Sequence, residues 1–276
     1  MVTQRLHYVE RGAGIPVLAL HGWTPDHRLM SGCLEPVFTT MAAQRYRRLY
    51  PDLPGMGATP ALPQVSSSDD ILDAVQAFVD EMIGEEPFLL VGESYGGYLA
   101  RGLIRARPEQ VLGLALICPV ATLEHAERTL PPRQVLRPDP SLFEGLDADL
   151  AEGFATMSVV QTPQTLRRYQ EEIQPGVAVA DTAAMARIQK HWRLSQDPDH
   201  PHLGAFERPT LILAGRQDDA VGYVDQLRLL PQYPRASFAV LDLAGHNVQI
   251  EQPGLFTALM LEWLDRVAVE SSRHTG

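Results

Sequence analysis

Short apolar runs alternate with amphipathic stretches along most of the chain. The runs at 16–22 (PVLALHG), 46–55 (YRRLYPDLPG), 88–92 (FLLVG), 111–119 (VLGLALICP), 209–218 (PTLILAGRQD) and 237–247 (SFAVLDLAGHN) are nearly continuous and carry glycine, proline or polar residues at or near their ends, so each reads as a buried strand. Residues 5–9 (RLHYV) give a leading strand. Between the runs the period changes. In 68–84 the apolar residues fall at Ile71, Leu72, Val75, Phe78, Val79, Met82 and Ile83, which is helical spacing. Ser68 is the expected N-cap, Asp69 and Asp70 suit the positive end of the dipole, and Gly84 stops the helix. Further helices are predicted at 94–108, around 222–230 and at 253–268, with a loose end at 271–276. Continuous strands alternating with helices predict an α/β architecture, a mostly parallel sheet covered by helices on both faces. From 120 to 205 the alternation stops, and helix formers, prolines and charges dominate. The predicted organisation is a core built from 1–119 and 206–276, with a helical insertion at 120–205 lying over the sheet.

Composition narrows the partners. The 276 residues are 45% hydrophobic and 21% charged, enough for a sizeable core. A net charge of −11 argues against nucleic acid and against an anionic membrane and says little about a small molecule, which the candidate chemistry makes the expected partner. Cys33 and Cys118 lie far apart with no CxxC, so both are expected to be free thiols. The first residues carry no apolar signal core, and no run reaches the ~18 apolar residues of a membrane span. A cytoplasmic location is therefore expected.

The chemistry centres on Gly92-Glu93-Ser94-Tyr95-Gly96, a G-x-S-x-G between a strand and a helix. Glycines at both ends allow a tight turn that lifts the serine hydroxyl above the sheet edge. Alone the motif is weak, because strand–helix packing explains the same glycines. A serine nucleophile needs a base. His246, in LAGHN after the last apolar strand, is the best placed of the nine histidines, with Gly245 leaving room for its ring. A carboxylate must orient that ring. Asp218, three residues after Gly215, is preferred, and its neighbour Asp219 is the rival. Oxyanion donors are expected from the backbone N–H groups of Tyr95 and of Trp23, the latter in the loop LALHGWTPD. His21 in that loop is read as a brace and not a base. The order Ser94, Asp218, His246 is the one a nucleophile elbow requires. No cofactor is called for. No metal is either: DPDHPH at 197–202 reads as a plain loop.

With these parts in place the chain resembles the α/β-hydrolase superfamily over nearly its whole length. The resemblance rests on HGW at 21–23, DLPGMG at 52–57, GESYGG at 92–97, GRQD at 215–218 and AGHN at 244–247. It implies a serine-nucleophile member with a helical cap at about 120–205, and a structural turn shaped by Asp52, Gly55 and Gly57. A serine at 94 disfavours the aspartate-nucleophile dehalogenases and epoxide hydrolases. HGWTP, where proline iminopeptidases read HGGPG, weakens an aminopeptidase reading. Asn247, where C–C bond hydrolases typically carry tryptophan, weakens that one. The implied activity is hydrolysis of a small ester, lactone or thioester through an acyl-serine. Non-hydrolytic use of the same site, as a lyase, cyclase, acyltransferase or ligand receptor, is the alternative class. Trp23, Tyr95, Met157, Tyr169, His191 and Trp192 are the candidates to line the substrate pocket, and Arg216 a candidate to meet an anionic group.

Overall fold

The computed structural model describes residues 4–40 and 45–273. Seven strands form one sheet: β1 (Tyr8–Gly12), β2 (Ile15–Leu20), β3 (Tyr46–Pro51), β4 (Phe88–Glu93), β5 (Val111–Ile117), β6 (Thr210–Gly215) and β7 (Ala236–Leu241), in the order β1-β3-β2-β4-β5-β6-β7. Only β1 runs antiparallel, against β3. The central strands β4 and β6 are buried along their whole length, as their unbroken apolar sequence requires. The leading strand falls slightly later than the 5–9 expected, because Leu6 turns into the core and His7 into a hydrogen-bonded loop.

Helices α1 (His27–Thr40) and α10 (Pro253–Arg273) pack together against the sheet, and α2 (Ser68–Met82) and α3 (Ser94–Ala106) form a second pair. The N-cap of α2 is Ser67, whose hydroxyl accepts the Asp70 N–H, and not Ser68. Ser68 is instead turned inward: its hydroxyl donates to Trp192 O at 2.6 Å and accepts from the Tyr95 hydroxyl at 2.8 Å. The predicted helix at 222–230 is shorter, α8 (Tyr223–Leu227), followed by a 3₁₀ turn at Leu230–Gln232. The predicted loose end is helical to Arg273, and 274–276 lie outside the described residues.

Helix α1 was not anticipated, since Gly32 and Pro36 look like breakers. Yet Leu29, Met30, Cys33, Leu34, Val37 and Phe38 are buried at helical spacing. Gly32 has a packing reason. A Cβ there would come within 2.4 Å of the Glu172 carboxyl carbon, from the segment that lies over it.

Between β5 and β6 the described residues hold helices α4 (Ala148–Met157), α5 (Pro163–Glu172), α6 (Gln174–Val179) and α7 (Thr182–Gln189), and a single bridge from Arg137 to Val160. The starts of α4, α5 and α7 are set by Asp147, Thr162 and Asp181, whose side chains accept first-turn N–H groups. Backbone and side-chain bonds strap this segment to the rest: Asp181 N–H to Gly55 O, Ser68 N–H to His191 O, and Arg168 Nη1 to Gln249 O. No described helix is long and apolar enough to cross a membrane.

Candidate active site

Ser94 sits where β4 becomes α3, with φ of +51°. Among the described residues three other non-glycine residues share that uncommon region: Thr24, Cys118 and Leu243, all in loops just after the C-terminal ends of β2, β5 and β7. Strain thus gathers at one edge of the sheet, the edge where α/β folds place their sites. The glycines around Ser94 are needed for space. A Cβ at Gly92 would lie 2.5 Å from Gly96 O, and one at Gly96 would lie 2.3 Å from Leu20 O.

Ser94 Oγ lies 2.9 Å from His246 Nε2, and His246 Nδ1 lies 3.0 Å from Asp218 Oδ2. The second oxygen of Asp218 accepts the Ala220 and Val221 N–H groups, which fixes the carboxylate's plane. Asp219 points elsewhere, toward Arg133. Burial alone would raise the Asp218 pKa, but the imidazole and the two N–H groups outweigh it and hold the group below its usual range. Burial would likewise lower His246. The charge and hydrogen bond of Asp218, with Glu93 adding to them, overcome that and push the ring up to about 9. The hydrogen-bond chain can move a proton from the serine hydroxyl to a ring held in one tautomer.

Register sets which backbone N–H groups lie near Ser94. Leu20 pairs with Gly92, so the turns after β2 and β4 leave the sheet side by side, and a Cβ at Gly22 would lie 3.1 Å from Ser94 Cβ. Tyr95 is the second residue of α3, so its N–H is among the donors the helix leaves without an internal partner. Trp23 follows Gly22 and stands edge-on to the Tyr95 ring at 5.0 Å. His21 is a brace: Leu53 N–H donates to its Nε2, its Nδ1 reaches Gly22 O, and burial lowers its pKa. Asp52 plays the structural role expected of its turn. It accepts from His7, from both the backbone and the ring of His27, and from Ala58, while a Cβ at Gly57 would strike it.

Two cavities meet at Ser94 and His246. The wide one, of about 970 Å³, is lined by Trp23, Tyr95, His191 and Trp192 with Arg128 and several acidic and serine residues. The narrow one, of about 200 Å³, is lined by Trp23, Leu29, Met157, Tyr169, Ile173 and Val177, with Glu93. All six residues proposed from the sequence for the pocket therefore face one cavity or the other. Arg216 faces neither; it is exposed, with its guanidinium over the Tyr223 ring. Arg128 and Arg193 are guanidiniums that line the wide cavity, and Arg128 is held by the carbonyls of Thr122, Leu123 and Ala220. Glu93 and Glu251 were also missed. Glu251 is buried and accepts the N–H groups of Val159 and Val160 on one oxygen and of Gly245 on the other. Nothing local marks any of these three, although a glutamate inside an apolar strand end, as at 93, is itself an anomaly worth a question.

Among the described residues two groups of three offer ligand atoms within 4.8 Å of one another: His7, His27 and Asp52, and Cys118, Asp218 and His246. In both, ring nitrogens and carboxylate oxygens are already engaged with each other. Burial also raises the Cys118 thiol pKa well above its ordinary value, which disfavours the thiolate a metal needs. In the 197–202 stretch the Asp199 carboxylate is gripped by Arg101.

A doubly covered parallel sheet with a serine on a strained strand–helix turn, facing a histidine and an aspartate from later loops, defines a hydrolase of the nucleophile-elbow type. Residues 17–259 match the model of the alpha/beta hydrolase family, and the chain belongs to that family and is an enzyme of its fold. A 2-hydroxymuconate semialdehyde hydrolase of Pseudomonas sp. (strain CF600) is 26% identical, with 95% of this chain and 90% of the relative covered. A pimeloyl-[acyl-carrier protein] methyl ester esterase of Shewanella sp. (strain MR-7) is 27% identical, with 94% of each covered. An alpha/beta superfamily hydrolase from Oenococcus oeni PSU-1 superposes with a TM-score of 0.87 at 28% identity, over 97% of this chain and 98% of that one.

Proposed function

We propose that this enzyme hydrolyses a small ester, lactone or thioester through an acyl-Ser94 intermediate. The observation that carries the reading is the continuous chain Ser94 Oγ–His246–Asp218 at 2.9 and 3.0 Å on the elbow. In this reading Ser94 Oγ attacks the acyl carbon as His246 Nε2 takes its proton, and Asp218 stabilises the resulting imidazolium. The Tyr95 and Trp23 N–H groups receive the oxyanion. His246 then protonates the leaving group, and next takes a proton from the water that cleaves the acyl-enzyme. Residues 120–205 act as a cap. The narrow cavity beside Ser94, floored by Leu29, Met157 and Tyr169, suits a short apolar acyl group, and the wide one suits a polar remainder. The substrate in this reading is a small molecule, and a net charge of −11 disfavours nucleic acid and anionic lipid as partners.

The second reading is hydrolysis of a C–C bond beside a carbonyl, favoured by the name of the Pseudomonas relative. Both readings are tested together. The purified protein is given p-nitrophenyl acetate, p-nitrophenyl butyrate and a 2-hydroxy-6-oxo-dienoate, with Ser94→Ala beside it. Release of p-nitrophenol that disappears in Ser94→Ala, with an acylated Ser94 peptide by mass, supports ester hydrolysis. Bleaching of the dienoate without p-nitrophenol release moves the assignment to C–C cleavage. Activity that persists in Ser94→Ala sinks both.

A further inference from the structure

Glu93 is a buried carboxylate that the acyl-serine cycle leaves without a task. It closes β4, directly before the nucleophile, and its side chain is 3% exposed. Its Oε1 lies 3.4 Å from His246 Nε2, the same nitrogen that bonds Ser94 Oγ. On the other side it is wedged against the loop after β2: a Cβ at Gly22 would lie 2.2 Å from its Oε2. It also forms part of the wall of the narrow cavity. The imidazole therefore faces Asp218 at Nδ1 and a second carboxylate at Nε2.

We infer that Glu93 is a positioning residue for the proposed reaction, a second anion on the His246 ring that favours the imidazolium over the neutral base. The inference rests on the acyl-Ser94 reading. An anion within about 4 Å favours the charged form of a ring by one or more pH units. The charged and titratable groups around the pair are few. Asp218 adds negative charge, Arg128 opposes it from the cavity wall, and the buried thiols of Cys33 and Cys118 feel Glu93 but stay protonated, their pKa values raised chiefly by burial. Burial raises Glu93 itself to about 7, against the pull of His246 and the Gly22 backbone. The carboxyl and the ring are in contact, so the two titrate as a coupled unit. A glycine at 22 has the matching reason that only a hydrogen leaves the carboxylate its place.

The test compares wild type with Glu93→Gln, which keeps the shape and removes the charge. The acid limb of kcat/KM for p-nitrophenyl acetate is expected to move down by about one pH unit or more. Turnover below the limb then rises about tenfold, while the alkaline plateau changes less. In parallel the ring ¹⁵N shifts of His246 are titrated by NMR, a readout that needs no turnover. A lower His246 pKa in Glu93→Gln supports the inference even if the ester assay is silent. An unshifted ring and an unshifted limb in a folded Glu93→Gln overturn it, whatever Ser94→Ala does. Should Glu93→Gln fail to fold, the wild-type ring carries the test. Two inflections in its ¹⁵N shifts, the lower from Glu93, support the coupling, and a single inflection overturns it.

Discussion

At the scale of residues, two adjacent aspartates part company. Asp218 and Asp219 share a loop and a chemistry, and sequence offers only the distance from Gly215 to choose between them. In the folded chain Asp218 is fully buried with both oxygens bonded, while Asp219 is 30% exposed and reaches only toward Arg133. If Asp218 holds the tautomer, Asp218→Asn lowers kcat by about 10⁴-fold. Asp219→Asn leaves kcat within about twofold, since exposed ion pairs contribute little. Comparable losses in the two variants would overturn the assignment. The proton balance of His246 belongs to this scale too. Activity that needs the neutral ring rises with pH toward about 9, and a profile already flat from pH 6 would contradict that raised value.

At the scale of elements, the site is assembled from loop ends that are held by hydrogen bonds. Glu251 is the best example. It lies in a short helix, α9 (Val248–Glu251), and reaches back to Gly245 and across to Val159 and Val160. One carboxylate thus ties the loop carrying His246 to the segment between β5 and β6. Glu251→Ala leaves three backbone donors without it. The expected cost is about 3 kcal/mol in urea unfolding, with kcat falling more than KM changes because the ring loses its support. A variant as stable and active as wild type would show that water replaces the carboxylate fully. Helix periods were readable for α2, which holds no glycine or proline, and for α3 in spite of Gly96, Gly97 and Gly102. In α1 the same period was present, but Gly32 and Pro36 masked it, because the reason for Gly32 is Glu172, 140 residues downstream. The same holds for Ser68, which has a capping residue's chemistry but is drawn inward by Trp192 and Tyr95, leaving the cap to Ser67.

At the scale of the whole molecule, buried carboxylates make stability depend on pH. Asp52 is fully buried and joins the chain before β1, the start of α1 and the turn after β3 through four hydrogen bonds. Burial works against its ionisation, but His27, Ala58 and the nearby imidazoles prevail and depress its pKa. A depressed folded-state pKa gives stability that is present above the unfolded value of about 3.9 and is lost as pH falls below it. Asp52→Asn therefore destabilises by about 2 kcal/mol at pH 7, and by progressively less as pH falls below 4. Equal destabilisation at pH 7 and at pH 3 in urea titrations would refute the charged role. The acidic surface, by contrast, is a matter of composition alone and was visible from the start.

The sequence by itself determined the alternation of strands and helices, the place where it breaks, and the chain order of serine, aspartate and histidine. These are local properties: hydrophobic period, turn glycines and the polar residue that follows a buried strand. Tertiary structure decided which carboxylate meets His246 at Nδ1, that a second one meets it at Nε2, and that Arg128 and not Arg216 reaches the cavity. Those contacts join residues tens to more than a hundred positions apart, and only the packing of the strand ends brings them within hydrogen-bonding distance.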